Sequence, residues 1–245
     1  QKDAKENVLT DISFHILPGQ TVEDEEEIES IQKACKVTDD CFEYILGYIK
    51  PGMTEKQIAR EIDDYYYKNA EGTSFDTIVA SGENSSKPHA VPTDRKIQEK
   101  DIITIDMGCK IDGYCSDMTR TFFVGEIPEE MKKVYDLVLK NQVQTLNDMR
   151  EGYSTKMLAK MVDNDFRLNN YDLIHALGHG VGLDIHESPI ISTRSENILK
   201  ENMVVTDEPG IYIAGQFGIR IEDTVLITKG GCEALTKSNK EYVVI

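Results

Sequence analysis

Asp106-Met-Gly108 and Glu208-Pro-Gly210 each place an acid two residues before a glycine at the end of an apolar run, and Asp117-Met-Thr119 pairs in the same way with Glu222-Asp-Thr224. A single acid at a strand end is usually a solvated or turn residue. Four acids in matching positions, all beside apolar strand sequence, point instead to a common centre. Like charges gathered there would raise one another's pKa unless a cation neutralised them, so the set predicts bound metal. Carboxylates can bridge two divalent ions about 3.5–4 Å apart, the arrangement used in two-metal hydrolysis. Three of the 5 histidines, His175, His179 and His186, fall within one twelve-residue stretch, and His89 stands alone between residues 23 and 124. His179 lies between Gly178 and Gly180, which permit close backbone approach, and is the expected imidazole ligand. Four carboxylates and one imidazole form a hard donor set that favours Mn²⁺, Fe²⁺ or Co²⁺ over a thiolate-type zinc site.

The elements that must position these residues are written twice, at an offset of 100 residues. Lys50 to Asp64 aligns with Arg150 to Asn164, with Gly52/Gly152, Lys56/Lys156, Ala59/Ala159 and Asp63/Asp163 identical and Ile58/Leu158 and Ile62/Val162 keeping the apolar spacing of four. In each copy a glycine ends one helix and Thr54 or Ser154 caps the next. Helices are expected upstream at 23–49 and 129–149, the first opening on the acidic run Glu23 to Glu27 that suits a helix N-terminus. Strands are expected at 75–80, 102–106 and 118–124 in the first half and at 181–185, 203–206 and 219–227 in the second. Two helix-helix-strand halves that combine their strands make an α+β architecture with an approximate internal two-fold.

The chain has 245 residues, 40% of them hydrophobic and 29% charged, enough for one large domain or two fused halves with a sizeable core. Its 44 Asp and Glu against 27 Lys and Arg leave a net charge of -17, which argues against nucleic acid or membrane surfaces as partners. No apolar run approaches the ~18 residues of a transmembrane helix and residues 1–20 lack the apolar core of a signal peptide, so the expected location is the cytoplasm. The 5 cysteines form no C-x-x-C pair and read as small buried thiols. His186-Glu187 is followed by Ser-Pro-Ile, so the H-E-x-x-H zinc motif is absent, as are G-x-S-x-G and the P-loop. Gln1 in place of an initiator Met fits a fragment: residues 1–22 are expected to be a linker or the end of a preceding domain, and 23–245 the catalytic domain.

From about residue 24 onward the sequence resembles the metallopeptidases of the pita-bread fold, the group of methionine aminopeptidase, aminopeptidase P and prolidase. Asp106, Asp117, His179, Glu208 and Glu222 match that group's dinuclear ligand set in type and order. The stretches Gly113 to Thr121, Gly180 to Pro189, Glu208 to Ile213 and Arg220 to Asp223 resemble its Xaa-Pro branch. The resemblance implies two pseudo-symmetric halves forming one curved, mostly antiparallel sheet covered by helices. It also implies two divalent ions, most readily Mn²⁺, with Co²⁺, Fe²⁺ or Zn²⁺ as alternatives, and a homodimer as an assembly open to the chain. The implied reaction is hydrolysis of the bond between an N-terminal residue and proline by a metal-bridging hydroxide, with Glu208 as base. His89 and His186 would touch the substrate, while His175 and Arg220 would support the site. On a strand, residues two apart share a face, so Arg220 and Glu222 are expected side by side. Two features depart from this pattern. His89 to Arg95 is similar to methionine aminopeptidase, which keeps that activity as an alternative beside a non-catalytic binding module, and Asp207 stands where the group usually has an apolar residue.

Overall fold

The computed structural model describes residues 22–245, so the expectation for residues 1–22 lies outside the described residues except for Val22. In the first half, α1 (Glu25–Tyr48) and α2 (Glu55–Asn69) precede β1 (Ile78–Ser81), β2 (Ile102–Met107), β3 (Lys110–Ile111), β4 (Tyr114–Cys115) and β5 (Met118–Phe123). In the second, α3 (Glu129–Asp148) and α4 (Thr155–Leu168) precede β6 (Gly178–Gly180), β7 (Glu187–Ile191), β8 (Val204–Asp207), β9 (Gly210–Ile213), β10 (Phe217–Arg220), β11 (Asp223–Ile227) and β12 (Cys232–Ala234). Among the described residues, no helix is long and apolar enough to cross a membrane.

The duplication is physical. Burial along 41–50 repeats residue for residue along 141–150, so the two helix pairs present equivalent faces to the sheet. Gly52 and Gly152 both turn with positive φ (93° and 81°), a region that favours glycine. Each then donates its N–H at 2.8 Å to a carbonyl of the same half, Ile97 and Leu199 respectively. Thr54 and Ser154 cap α2 and α4 by accepting the N–H of Gln57 and Met157. Lys56 pairs with Asp94 as Lys156 pairs with Glu196. Asp24 and Glu27 form a reciprocal capping box at the start of α1, which gives the acidic run a specific role there.

Each helix pair covers its own core. Phe42, Ile45, Ile58, Ile62 and Tyr66 pack on Ile103, Ile105 and Phe122 in the first half, and Tyr135, Leu158, Val162 and Phe166 pack with Val205 and Val225 in the second. The alternation of β2 turns Ile103, Ile105 and Met107 toward the helices and leaves Thr104 and Asp106 on the other face. All ladder pairings are antiparallel, in the orders β1-β2-β5 and β12-β11-β8-β6-β7 with two separate hairpins, β3-β4 and β9-β10. Between the halves, Glu222 donates its N–H to Thr119 O at 3.0 Å. Thr224 donates its hydroxyl to Asp117 O at 2.7 Å. The acids therefore gather where the two halves meet.

Several strand expectations need correction. Residues 181–185 form a turn, closed by Gly182 N–H to Asp184 O at 3.1 Å, and the strand lies earlier, at Gly178–Gly180. Glycines carry little strand signal, which hid it. The run 219–227 is two strands, because Ile221 and Glu222 leave the ladder as Glu222 crosses to the other half. In the first half, the run from Phe75 becomes a strand only at Ile78.

Candidate active site

Asp106 is the penultimate residue of β2, Asp117 lies between β4 and β5, His179 is the centre of β6, Glu208 follows β8 and Glu222 lies between β10 and β11. All five line one cavity of about 610 Å³, together with His89, His175, His186 and Arg220. Asp117, His179 and Glu222 offer ligand atoms that all lie within 4.8 Å of one another. His179 Nε2 is 3.4 Å from Asp117 Oδ2 and 3.5 Å from Glu208 Oε1. Its Nδ1 faces Gly180 O at 3.0 Å, so with the proton on Nδ1 the Nε2 lone pair is directed at the acids.

The strand spacing that brings His179 here requires glycine. A Cβ on Gly178 would sit 2.0 Å from Thr206 O, and one on Gly180 would sit 2.4 Å from Ser188 O. Thr206 Oγ1 also accepts the His179 main-chain N–H at 3.0 Å and donates to Glu208 Oε1 at 3.2 Å, tying the His179 backbone and the Glu208 side chain to one hydroxyl.

Burial pushes the carboxyls of Asp106, Asp117 and Glu222 up from their ordinary values, and repulsion from the neighbouring acids adds to it. Arg220 opposes this: its Nη2 donates to Asp106 Oδ2 at 2.6 Å, and its Nε donates to Thr119 Oγ1 at 3.0 Å. Thr119 in turn donates to Glu222 Oε2 at 2.6 Å, so one guanidinium holds an acid from each half. Asp106 Oδ1 remains buried with no hydrogen-bond partner, the condition of an oxygen available to a cation. One arginine against four converging carboxylates leaves an excess of negative charge, and the hard O and N donors suit divalent metal ions. The residues fit such a centre.

His175 donates from Nδ1 to Ala176 O at 2.7 Å and faces Tyr212 Oη through Nε2 at 3.0 Å. Tyr212 also accepts from Arg220 Nη1 at 2.7 Å, which makes a chain from His175 through Tyr212 and Arg220 to Asp106. Burial pushes the imidazoles of His175 and His186 below their ordinary value, and the neighbouring His179 adds to this at His186. His186 packs against His179 with ring centroids 4.4 Å apart. His89 is exposed at the cavity mouth, and Phe75, Ile78 and Ile190 supply an apolar wall. Asp207 points away from the cavity: it is fully buried opposite Asp223 in the β8-β11 ladder, and burial followed by repulsion from Asp223 pushes its carboxyl well up.

The structure therefore brings together every candidate residue. Sequence reasoning gave no role to Tyr212, Thr119 or Thr206. Tyr212 faces Gly218 across the β9-β10 hairpin, two residues from Arg220, and a hairpin turn recognised at Ala214-Gly-Gln216 would have placed the pair together.

Residues 29–229 match metallopeptidase family M24. The Xaa-Pro dipeptidase of Pyrococcus furiosus is 42% identical over 226 residues, 91% of this chain and 65% of that protein. The peptidase YqhT of Bacillus subtilis is 40% identical over 227 residues, 91% of this chain and 64% of its own length. Among solved structures, X-Pro aminopeptidase from Thermotoga maritima MSB8 superposes with a TM-score of 0.89 at 41% identity, covering 92% of this chain and 65% of that one. The chain thus spans 64% to 65% of the length of these relatives. A pita-bread arrangement of two similar halves and a family match over most of the sequence lead to one assignment: the chain belongs to metallopeptidase family M24.

Proposed function

We propose that this chain catalyses metal-dependent hydrolysis of the peptide bond between an N-terminal residue and proline. The observation that carries this reading is the convergence of Asp106, Asp117, Glu208 and Glu222 with His179 on one cavity where the two halves meet. These five residues would hold two divalent ions, Mn²⁺ foremost. When bound, the ions supply Lewis acidity at the carbonyl and bring the pKa of a water toward neutrality.

The chain's own groups divide the remaining work. Glu208 is only part-buried, accepts a single hydroxyl and faces the cavity, which suits it to take the proton from the attacking water. His186 beside His179, and His89 at the mouth, would donate to the oxygen that gains charge as the carbonyl carbon becomes tetrahedral. Arg220 and the Tyr212–His175 pair keep Asp106 and the cavity wall in place. A bond before proline lacks the amide hydrogen and has a fixed φ, which excludes it from many general peptidase clefts and gives a dedicated enzyme its purpose. The similarity to an Xaa-Pro dipeptidase and to an X-Pro aminopeptidase supports the same substrate class.

Metal content and Mn²⁺-dependent cleavage of paired peptides differing only in Pro or Ala at the second position test the proposal, with Glu208→Ala as control. About two ions per chain, cleavage of the Pro peptide alone and loss of activity in the variant are expected. Cleavage of a Met-Ala peptide in preference would establish methionine aminopeptidase instead. A chain without metal would move the reading to a binding module.

A further inference from the structure

His89 sits on a stretch, residues 87–95, with neither helix nor strand. No backbone ladder fixes it. What holds its two ends is a carboxylate from the first turn of α2. Glu55 is fully buried, and it accepts from Ser81 N–H at 2.6 Å and Ser81 Oγ at 2.7 Å on one oxygen. On the other oxygen it accepts from Asn84 Nδ2 at 2.9 Å, Thr93 N–H at 2.9 Å and Thr93 Oγ1 at 2.6 Å. Asn84 precedes His89 and Thr93 follows it, so one buried group bridges both sides of the loop, beside the bonds that the Glu55 and Lys56 N–H groups donate to Arg95 O and Thr93 O at 3.1 Å. Asn84 Nδ2 also reaches Val91 O at 3.3 Å within the loop, and Arg220 Nη1 reaches Pro88 O at 3.2 Å from the cavity side.

The duplication supplies an internal comparison. The position equivalent to Glu55 is Thr155, also fully buried, which bonds only Ser195 Oγ at 2.8 Å and Asn197 O at 2.9 Å. The corresponding loop of the second half, between β6 and β8, also reaches the cavity, through Ile185, His186 and Ile190, but β7 (Glu187–Ile191) runs through it and pairs with β6. The carboxylate is present in the half whose loop has no strand of its own, and a short hydroxyl replaces it where a strand ladder holds the loop.

We propose that Glu55 is a positioning residue for His89, setting the loop geometry that brings the imidazole to the cavity; this rests on the role given to His89 above. The requirement is for an acceptor at both oxygens. Each receives a backbone N–H, from Ser81 on one and Thr93 on the other, so either orientation of a glutamine amide would point its NH₂ at a donor. Glu55→Gln is close in volume yet breaks the arrangement.

Hydrogen exchange, metal content and steady-state kinetics on wild type, Glu55→Gln, His89→Ala and the double variant test this. Glu55→Gln is expected to speed exchange in residues 84–93 with 195–199 unchanged, to retain metal, and to lower kcat by about 10- to 100-fold with little change in KM. In the His89→Ala background it should cost nothing further, because the group it positions is gone. A merely structural role would instead lower activity equally in both backgrounds. That result, or unaltered exchange in 84–93, overturns the proposal. Thr93→Val, at an exposed position, removes the hydroxyl's bond to Glu55 and its acceptance of the Arg95 N–H, and carries the same pattern at smaller amplitude if Glu55→Gln does not fold. A wild-type protein that cleaves no Xaa-Pro peptide would defeat the proposed reaction, while the exchange comparison would still decide whether Glu55 holds the loop.

Discussion

His179 and His89 show how differently two imidazoles can be placed around one cavity. His179 is buried, bonded through its main chain and flanked by glycines that let β6 approach β8. Gly178→Ala would insert a methyl 2.0 Å from Thr206 O, so the strands must part. A loss of about 1–3 kcal/mol in urea denaturation together with reduced Mn²⁺ stoichiometry is expected, and full metal content would show that His179 had not moved. His89 is exposed and touches none of the acids within hydrogen-bond reach. Replacing it with Ala is expected to lower kcat by about 10²- to 10³-fold while leaving the metal in place. Metal loss in that variant, measured by elemental analysis, would refute a substrate-side role.

At the scale of elements, equivalent helices are finished with unequal care. Thr54 and Gln57 cap α2 reciprocally, whereas Ser154 caps α4 through a single bond of 3.4 Å. Thr54→Ala is therefore expected to cost about 1 kcal/mol and Ser154→Ala a smaller amount, as read from denaturant midpoints at unchanged m-value. Ahead of α1, burial and then Glu27 push the Glu23 carboxyl from its ordinary 4.5 to about 8. Its folded pKa lies above its unfolded one, so the folded state holds the extra proton. The stability linked to it is complete below pH 4.5 and is lost as pH rises through about 8. Unfolding free energy should fall across that window by at most about 1.4 kcal/mol per pH unit, and Glu23→Gln should flatten the slope. A variant as pH-dependent as wild type would place the effect elsewhere.

For the whole molecule, the charge gathered between the halves is both the route to metal and a source of strain without it. Asp106 and Asp117 come from the first half, and His179, Glu208 and Glu222 from the second, so bound ions would join two separately packed cores. Mn²⁺ at a hundred times its Kd is expected to raise the unfolding free energy by about 2.7 kcal/mol per site, and a chelator should abolish the gain. Asp117→Asn removes one of the repelling charges. In the chelated protein it should raise the melting temperature, and it should blunt the response to Mn²⁺. A variant that responds to the metal as wild type does would remove Asp117 from the ligand set.

The duplication, the two helix pairs and the four acids were legible in the order of residues alone, because helix periodicity, capping and chemically restricted residue types are local properties. Gly52/Gly152 and Thr54/Ser154 announced their turns and caps without reference to anything distant. The strand at Gly178–Gly180 and the break at Ile221-Glu222 were not legible, since each is set by a partner far along the chain: Thr206 in one case and Thr119 in the other. Tyr212 bridging His175 to Arg220 and Glu55 closing the His89 loop are of the same kind. Their hydrogen bonds depend on burial and on strand pairing, which only folding supplies. Which residues can do chemistry is a property of side-chain type; which of them share one buried cavity is a property of the packed halves.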